Sequence, residues 1–277
     1  MQKKQTLTLE QKKERVKDFR PLDDVFFEVL ADDRDFCQEL LRTVMEDSGL
    51  KVCDVIVQSS RRNLYGRSVR LDALCKLGSG DMCNVEVQRA DEDDHFRRVR
   101  YHASVITAKE SYPGARFEKI CNVHVVYISE FDIIGKGRTS YHVDSVIRET
   151  GTLVDDGLHR IFVNTVNDDG TDTSELMSCF TKTMVDNPKF PVFTRRMHEL
   201  KEEEGGLDAV CEVMQKYIRE ATAEAEKRIE EANKGTAEAN RKKMLAIRSM
   251  IQYGIPREAI LRDFSEEEYL SAKKMLE

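Results

Sequence analysis

The sequence predicts an α/β protein in which a mixed sheet is flanked by helices. Residues 69–77 and 83–88 alternate apolar and polar side chains with a period of two, which is typical of half-buried strands. Residues 21–48 and 91–111 instead repeat apolar side chains at helical spacing. Residues 119–131 are the most hydrophobic strand-like stretch and predict a central strand. With a further strand before the first pair, this order indicates a mixed sheet with a helical crossover.

Composition limits the kinds of partner that the chain can attract. Its 277 residues carry a net charge of −7, so a basic field over the whole protein is absent. Contact with nucleic acid therefore requires local basic patches. The first twenty residues form such a patch, with seven basic residues against three acidic ones. A solvated, partly disordered tail is favoured here over a binding arm.

Cysteine usage and hydropathy predict a cytoplasmic protein. The seven cysteines include no CxxC pair, so neither a structural zinc nor a disulfide framework is expected. No apolar run is long enough to span a membrane, and the N-terminus lacks the apolar segment of a signal peptide. We therefore expect no membrane partner.

A short β-hairpin brings two carboxylates together. Glycine accepts positive φ, so residues 78–80, Gly-Ser-Gly, suit a three-residue loop between the two arms. This loop pairs Leu77 with Asp81 and sets Asp72 directly opposite Glu86. The Cβ atoms of directly opposed residues lie roughly 4.5–5.5 Å apart, so the two carboxylates are predicted to repel each other.

A divalent cation between the two carboxylates would remove this repulsion. Mg²⁺ favours one or two carboxylates, with waters and phosphate oxygens completing its shell, and it promotes phosphoryl transfer or hydrolysis. The residues alone leave a second interpretation open, in which both acids are solvated or are neutralised by Arg70 and Lys76. Strict alternation places Leu71 with Ala73 on the face opposite to Asp72.

The helix predicted over residues 21–48 carries one candidate site residue. Residues 31–33, Ala-Asp-Asp, are expected to interrupt it and so divide it into two helices. Glu28 lies before the interruption and Glu39 after it, and an ordinary surface acid is the favoured interpretation of each. Of the two, Glu28 is the better candidate for an accessory group that reaches the carboxylate pair.

The helix predicted over residues 91–111 begins with a basic group. Asp93 or Asp94 is expected to cap it. The arginines at positions 97, 98 and 100 follow Gln88 closely, so they can lie near the carboxylate end of the hairpin. They either position phosphates or form surface ion pairs with the preceding acids.

A second line of side chains on this helix consists of Arg98, Tyr101 and Val105, at positions i, i+3 and i+7. Tyr101 fits either the core or the site. His95 and His102 have no matching ligands, so we expect both to be structural or exposed.

The second half of the chain adds two strands and a helical end. Residues 140–148 and 158–166 are predicted strands, and residues 174–185 are a predicted helix. Two further helices, over residues 193–204 and 207–233, are separated by a pair of glycines.

The long polar helix after residue 207 is rich in Ala, Glu and Lys, and Gly235 is expected to interrupt or weaken it. Because it lacks sustained a/d heptads, a solvated linker is favoured over self-association, and a homo-oligomer stays open. Ser265-x-x-Glu268 is a capping box that opens the last helix. The end resembles a helix-turn-helix in outline, with a packing or dimerisation module as an equal alternative. The predicted divisions are a basic tail (1–19), a main domain (20–200) and a helical linker with a small helical hairpin (201–277).

Several short stretches carry a resemblance to a known family. They are Leu22–Leu30, Arg70-Leu71-Asp72, Val85-Glu86-Val87-Gln88, Arg98–Ser104, and Pro113-Gly114 followed by Lys119–Ile128. In this order they resemble the PD-(D/E)XK nuclease superfamily, and more closely the PD-(D/E)XK nuclease family transposases, the recombination-promoting nuclease group of bacteria. The sequence departs from that pattern at Phe27, where the family usually has lysine, and at His102, which replaces a second tyrosine.

The resemblance implies a restriction-endonuclease-like core with a C-terminal helical extension and a Mg²⁺ site. It implies that Asp72 and Glu86 are metal ligands, with the Val87 carbonyl as a further ligand. Gln88 would orient a water or a phosphate oxygen, and Arg98 with Tyr101 would support the phosphate. The expected function is a Mg²⁺-dependent DNA endonuclease associated with recombination or a mobile element. The alternative is a nuclease-like scaffold that binds nucleic acid or a protein without cleavage.

Overall fold

The computed structural model describes residues 7–62, 68–92 and 94–276. Its helices are α1 (Leu9–Val16), α2 (Asp24–Ala31), α3 (Arg34–Val44), α4 (His95–Glu110), α5 (Asp172–Phe180), α6 (Pro191–Glu202), α7 (Glu204–Gln252), α8 (Arg257–Ile260) and α9 (Glu266–Lys274). Its strands are β1 (Val52–Arg62), β2 (Ser68–Leu77), β3 (Met82–Gln88), β4 (Val123–Ser129), β5 (Ser140–Val143), β6 (Ser145–Ile147), β7 (Thr152–Val154) and β8 (Leu158–Asn164).

Six strands form a mixed sheet in the order β1-β2-β3-β4-β8-β5. The first three strands are antiparallel neighbours, whereas β3, β4 and β8 run parallel. Helix α4 makes the crossover between the parallel neighbours β3 and β4, as a parallel connection requires. The mixed α/β architecture predicted from the sequence is therefore confirmed. Strand β4 is one of the two central strands of the sheet.

The sheet separates two apolar clusters. The larger cluster packs the helices α2, α3, α5 and α6 against one face, through side chains such as Phe26, Phe36, Phe180 and Phe193. The smaller cluster packs α4 against the other face, around the fully buried Tyr127. Helix α4 therefore covers β3 and β4 on the face of the sheet opposite to the larger cluster. No helix among the described residues is both long and apolar enough to cross a membrane.

The register predicted for the hairpin is confirmed from Leu77 and Asp81 to Ala73 and Val85, and the pairing ends before Asp72 and Glu86. Ala73 pairs with Val85, and the Leu77 N–H donates to the Asp81 carbonyl at 2.9 Å. The predicted alternation fails at Leu71, which packs in the α4 cluster whereas Ala73 packs in the opposite one. On the neighbouring strand β1, Gln58 has a φ of 50°, so the regular pleat breaks where β1 passes this point. Strand β1 extends to Arg62, and residues 63–67 lie outside the described part.

The helix boundaries near the site follow the expected capping signals. The predicted interruption at residues 31–33 is confirmed, because Asp33 accepts hydrogen bonds from the first turn of α3. Asp94 caps α4 by accepting from the Arg97 N–H, whereas Asp93 lies outside the described residues. Ser265 and Glu268 form the predicted capping box of α9.

The basic N-terminal region is not the solvated tail that we expected. Residues Leu9–Val16 form α1, and Val16 is buried in the main core. Lys12 is buried as well and forms an ion pair with Asp208 at 2.7 Å. Contacts with α6 and α7 thus keep α1 ordered, although the composition of this segment alone favours disorder. The basic residues Lys3 and Lys4 lie outside the described residues.

The C-terminal half also differs from the prediction in its boundaries. The break between α6 and α7 falls at Glu203, so Gly205 lies inside the first turn of α7. Gly235 does not interrupt α7, which continues to Gln252. The predicted strand over residues 140–148 is divided into β5, which joins the sheet, and β6, which forms a separate two-stranded ribbon with β7.

The described chain divides into two compact units, the first ending at Gln215 and the second beginning at Lys216. The second unit has a small apolar cluster built on Ile247, Ile260 and Ala272. The domain limits predicted at residues 19 and 200 stay predictions.

Gly206 should be a sensitive position, because a Cβ there would lie 2.1 Å from the Glu199 carbonyl oxygen of α6. Such a contact forces the two helices apart, so we expect Gly206→Ala to lower the free energy of unfolding by about 2 kcal/mol. Gly205→Ala is the matched control, because a Cβ at that position meets no atom within 4 Å. Urea denaturation of both variants checks this, and equal stabilities would contradict it.

The loop after β4 is organised around Asp132. Burial disfavours its charged form, but the N–H groups of Gly135 and Gly137 and the side chains of Tyr141 and Asn167 donate to it and lower its pKa to about 2. Because the ordinary pKa is 3.8, the carboxylate stabilises the fold above about pH 4. This stabilisation is lost as the pH falls towards 2.

We expect Asp132→Asn to lower the free energy of unfolding at pH 7 by about 2 kcal/mol, since an amide cannot accept from all these donors. Its stability should also fall less steeply than that of the wild type between pH 4 and pH 2. Asp144→Asn, at an exposed acid, should leave both quantities unchanged. Parallel pH profiles for the wild type and Asp132→Asn would contradict the assignment.

Candidate active site

The two predicted carboxylates lie where β2 and β3 stop pairing. Ala73 and Val85 are the last paired residues of the two strands, and each is the chain neighbour of one of the carboxylates, Asp72 and Glu86. Beyond them the Val87 N–H donates to Asp72 Oδ2 at 3.0 Å, and not to the backbone of β2. The same hydrogen bond therefore ends the ladder and fixes the Asp72 side chain beside Glu86.

Glu86 is fully buried on the α4 side of the sheet. Its Oε1 accepts from Asn84 Nδ2 at 2.7 Å, and His102 Nδ1 of α4 lies 3.1 Å from the same oxygen. Its Oε2 has no hydrogen-bond partner among the described residues, and Arg98 Nη2 lies 3.9 Å from it. A buried carboxylate oxygen without a partner is costly, so this atom marks a position where a cation or water would be stabilised.

The electrostatics of Asp72 reflect this crowding of acids. Its burial raises the pKa of Asp72 well above the usual value, and the charges of Glu86 and Asp24 raise it further. The Val87 N–H and the Arg98 guanidinium act in the opposite direction. Desolvation also raises the pKa of Asp24, at the N-terminus of α2, against the effect of Arg98. Three acids thus share one region.

The predicted glutamine and arginine meet at the end of β3. Arg98 Nη1 donates to Gln88 Oε1 at 3.1 Å, and Gln88 Nε2 donates to the Ala90 carbonyl at 2.8 Å. Arg98 is also within reach of Glu86, so one guanidinium links both ends of the Glu-x-Gln motif. Tyr101 lies one turn later on α4 and packs, half-buried, against the smaller cluster. Glu28 is buried on α2, one turn after Asp24, so the expectation of an ordinary surface acid is wrong.

Ion pairs brace this edge of the sheet. Glu130, just after β4, accepts from Arg20 at 2.7 Å and from Arg89 at 3.2 Å. Arg89 also pairs with Asp23, the N-cap residue of α2. These charges connect the entry of α2 to the ends of β3 and β4, so they hold Asp24 near the carboxylate pair.

The donor set fits a hard divalent cation. Asp72 and Glu86 supply carboxylate oxygens, one of which is buried without a partner, and such cations prefer oxygen ligands. Within the described ranges, no three His, Cys, Asp or Glu side chains cluster closely enough to hold a metal by themselves. The protein would therefore supply two carboxylates and backbone oxygen, and water or substrate would complete the shell.

Sequence reasoning missed three residues of this region. Asn84 donates to the Glu86 carboxylate, His102 lies beside it, and Asp24 is close enough for the charge of Glu86 to act on it. His102 and His95 are both buried, which agrees with the structural option expected for them, and His102 Nδ1 lies 3.1 Å from Glu86 Oε1. Asn84 has a signal in hindsight, because it lies two residues before Glu86 and so on the same strand face.

The fold and the carboxylate pair define the class, a mixed α/β core of the nuclease type. The family described as PD-(D/E)XK nuclease family transposase matches residues 25–252, which is most of the chain. The protein therefore belongs to the PD-(D/E)XK nuclease transposase family. Comparison with curated proteins and with solved structures yields no match.

Glu86→Gln tests the cost of the buried charge. The variant replaces an anion whose Oε2 lacks a hydrogen bond, so in EDTA at pH 8 we expect the free energy of unfolding to rise by about 1 kcal/mol or more. Glu39→Gln is the matched control, because both Glu39 oxygens accept N–H groups at the start of α6, and this variant should be less stable. Urea denaturation measures both. Destabilisation of Glu86→Gln to the same extent as Glu39→Gln would contradict the interpretation.

Proposed function

We propose that this protein is a metal-dependent DNA endonuclease that hydrolyses phosphodiester bonds, with Mg²⁺ or a similar divalent cation as cofactor. The observation that carries the proposal is the buried Glu86 Oε2, which lacks a hydrogen-bond partner among the described residues and lies next to a second carboxylate, Asp72. Such an arrangement is unfavourable for folding, and it is typical of a site that is completed by a cation.

Asp72 and Glu86 are the proposed metal ligands, with the Val87 carbonyl as a third oxygen. A divalent cation supplies positive charge that acidifies a water and stabilises the negative charge of the phosphate. Asn84 and His102 occupy the Oε1 side of Glu86, so Oε2 is the oxygen left to face the ligand.

Gln88 is the proposed positioning group for the attacking water or a phosphate oxygen. Its amide is neutral and cannot supply the positive charge of a lysine. Arg98 lies 3.1 Å from the Gln88 oxygen and supplies that charge at the same place. Tyr101, one turn along α4, is proposed to support the phosphate together with Arg98. Glu28, or Asp24 before it on α2, is the proposed accessory acid.

DNA is the substrate that the nuclease and transposase description of the family favours. We extend this to an association with recombination or a mobile element. The competing function is a scaffold that binds nucleic acid or a protein without cleavage, and the neutral Gln88 is the observation that favours it.

Cleavage of supercoiled and linear DNA by the purified protein with Mg²⁺ tests the proposal. We expect Asp72→Ala to reduce cleavage at least about a hundredfold, because it removes a ligand and the partner of the Val87 N–H. Mn²⁺ should raise the melting temperature of the wild type and leave that of Asp72→Ala unchanged. Asp144→Ala, at an exposed acid, should retain full activity.

Equal cleavage by the wild type and Asp72→Ala would refute the assigned site. The scaffold function would instead be favoured by DNA binding that persists in EDTA, together with no cleavage of single-stranded, duplex or supercoiled DNA.

A further inference from the structure

One side of α4 leads away from the proposed site. Arg97, Arg100, Ser104 and Ala108 are exposed and are spaced at i, i+3, i+7 and i+11, so they follow a single solvent-facing stripe along the helix. Arg98, beside Arg97, contacts Gln88 at one end of this stripe, and Lys109, beside Ala108, lies in the last turn. Eleven residues of α-helix extend about 16 Å, so the stripe is long enough to guide several nucleotides.

The stripe ends at a segment with two unusually exposed aromatic side chains. Tyr112, two residues after the end of α4, is 79% exposed, and Phe117 is 89% exposed. Scattered apolar residues on a surface need no explanation, but two exposed aromatic rings within six residues, one of which lines a cavity, are suited to flat apolar ligands. The faces of such rings are the surfaces on which unpaired bases stack.

A cavity of about 420 Å³ lies between this segment and the sheet. Strands β1, β2 and β3 contribute the apolar side chains of Ile56, Leu74 and Met82 to its lining, and Tyr112 lines it from the segment after α4. Asp54 presents a carboxylate that can accept hydrogen bonds from the amino groups of a base, while Lys76 and Lys119 lie at the same cavity and can bind phosphates. This combination matches a nucleotide better than it matches a purely anionic or a purely apolar ligand.

The basic side chains along this path are available for phosphates. Arg100, Lys109, Lys76 and Lys119 are exposed, and none has an ion-pair partner in the part of the chain that the structure describes. Since the net charge of the chain is −7, nucleic acid has to be attracted by such a local group of cations.

We propose that this side of α4 guides a single DNA strand from the carboxylate site to the aromatic segment, where unpaired bases stack on Tyr112 and Phe117. The inference rests on the proposed nuclease function and specifies its substrate as DNA with an unpaired strand. Bases inside a duplex are already stacked, so a duplex cannot use these two rings. The site of cleavage and the stacking platform are then separate contacts on one strand.

Phe117→Trp reports directly on stacking, because the chain contains no tryptophan. In EDTA, a single-stranded thymidine oligonucleotide of about twelve nucleotides should quench the fluorescence of this tryptophan. A duplex of equal length should not quench it when bound to the same extent. Tyr253→Trp is the matched control, because Tyr253 is 87% exposed and lies in the C-terminal unit. It should report no quenching with either DNA.

Affinity measurements in EDTA give the second test. Tyr112→Ala and Phe117→Ala should each weaken binding of the single strand about fivefold or more, leave duplex binding within about twofold, and keep the melting temperature. Tyr253→Ala should change neither affinity. Absence of quenching, or equal losses for single strand and duplex, would overturn the inference.

The two proposals fail separately. Asp72-dependent cleavage of DNA by a wild type whose aromatic variants bind single strands normally would refute only the stacking platform. Quenching and selective loss of single-strand binding without any cleavage would support the platform and refute the nuclease.

Discussion

The end of pairing between β2 and β3 is the constraint on which the site depends. An antiparallel ladder continued past Ala73 and Val85 would give the Val87 N–H a backbone acceptor on β2. Here that N–H donates to the Asp72 carboxylate. The exchange costs no hydrogen bond, because a buried donor stays satisfied, and it brings a charged side chain to the point where the strands part. The rest of the site is arranged around that carboxylate.

The burial of Glu86 shows how stability and function oppose each other here. A fully buried carboxylate beside a second acid is unfavourable, and the hydrogen bond from Asn84 compensates on one side only, where His102 also lies nearby. The ion pairs between Arg20, Arg89, Glu130 and Asp23 lie just outside and hold the surrounding elements in place. A bound cation would offset the remaining cost, which explains how such an arrangement can persist in a stable protein.

The local charge of α4 differs from the net charge of the whole chain. The chain is acidic as a whole, yet α4 carries cations from its first turn to its last, beginning with Arg97 and ending with Lys109. The acids of the site lie at one end of this helix, and the exposed aromatic segment lies at the other. This arrangement supports the proposal that a polyanion is attracted to α4 and that a bound metal would bring its phosphate close to Asp72 and Glu86.

Local sequence determined the hairpin register and the break between α2 and α3. Side-chain alternation and a three-residue glycine loop fix which residues oppose each other, and an Asp cap fixes a helix start, so Asp72 and Glu86 could be paired from the sequence. Tertiary structure alone decided that Leu71 packs on the α4 side, that α1 is held in the core, and that His102 and Asp24 reach the carboxylates. These contacts join elements far apart in the chain, and no periodicity within one element encodes which neighbour its faces will meet.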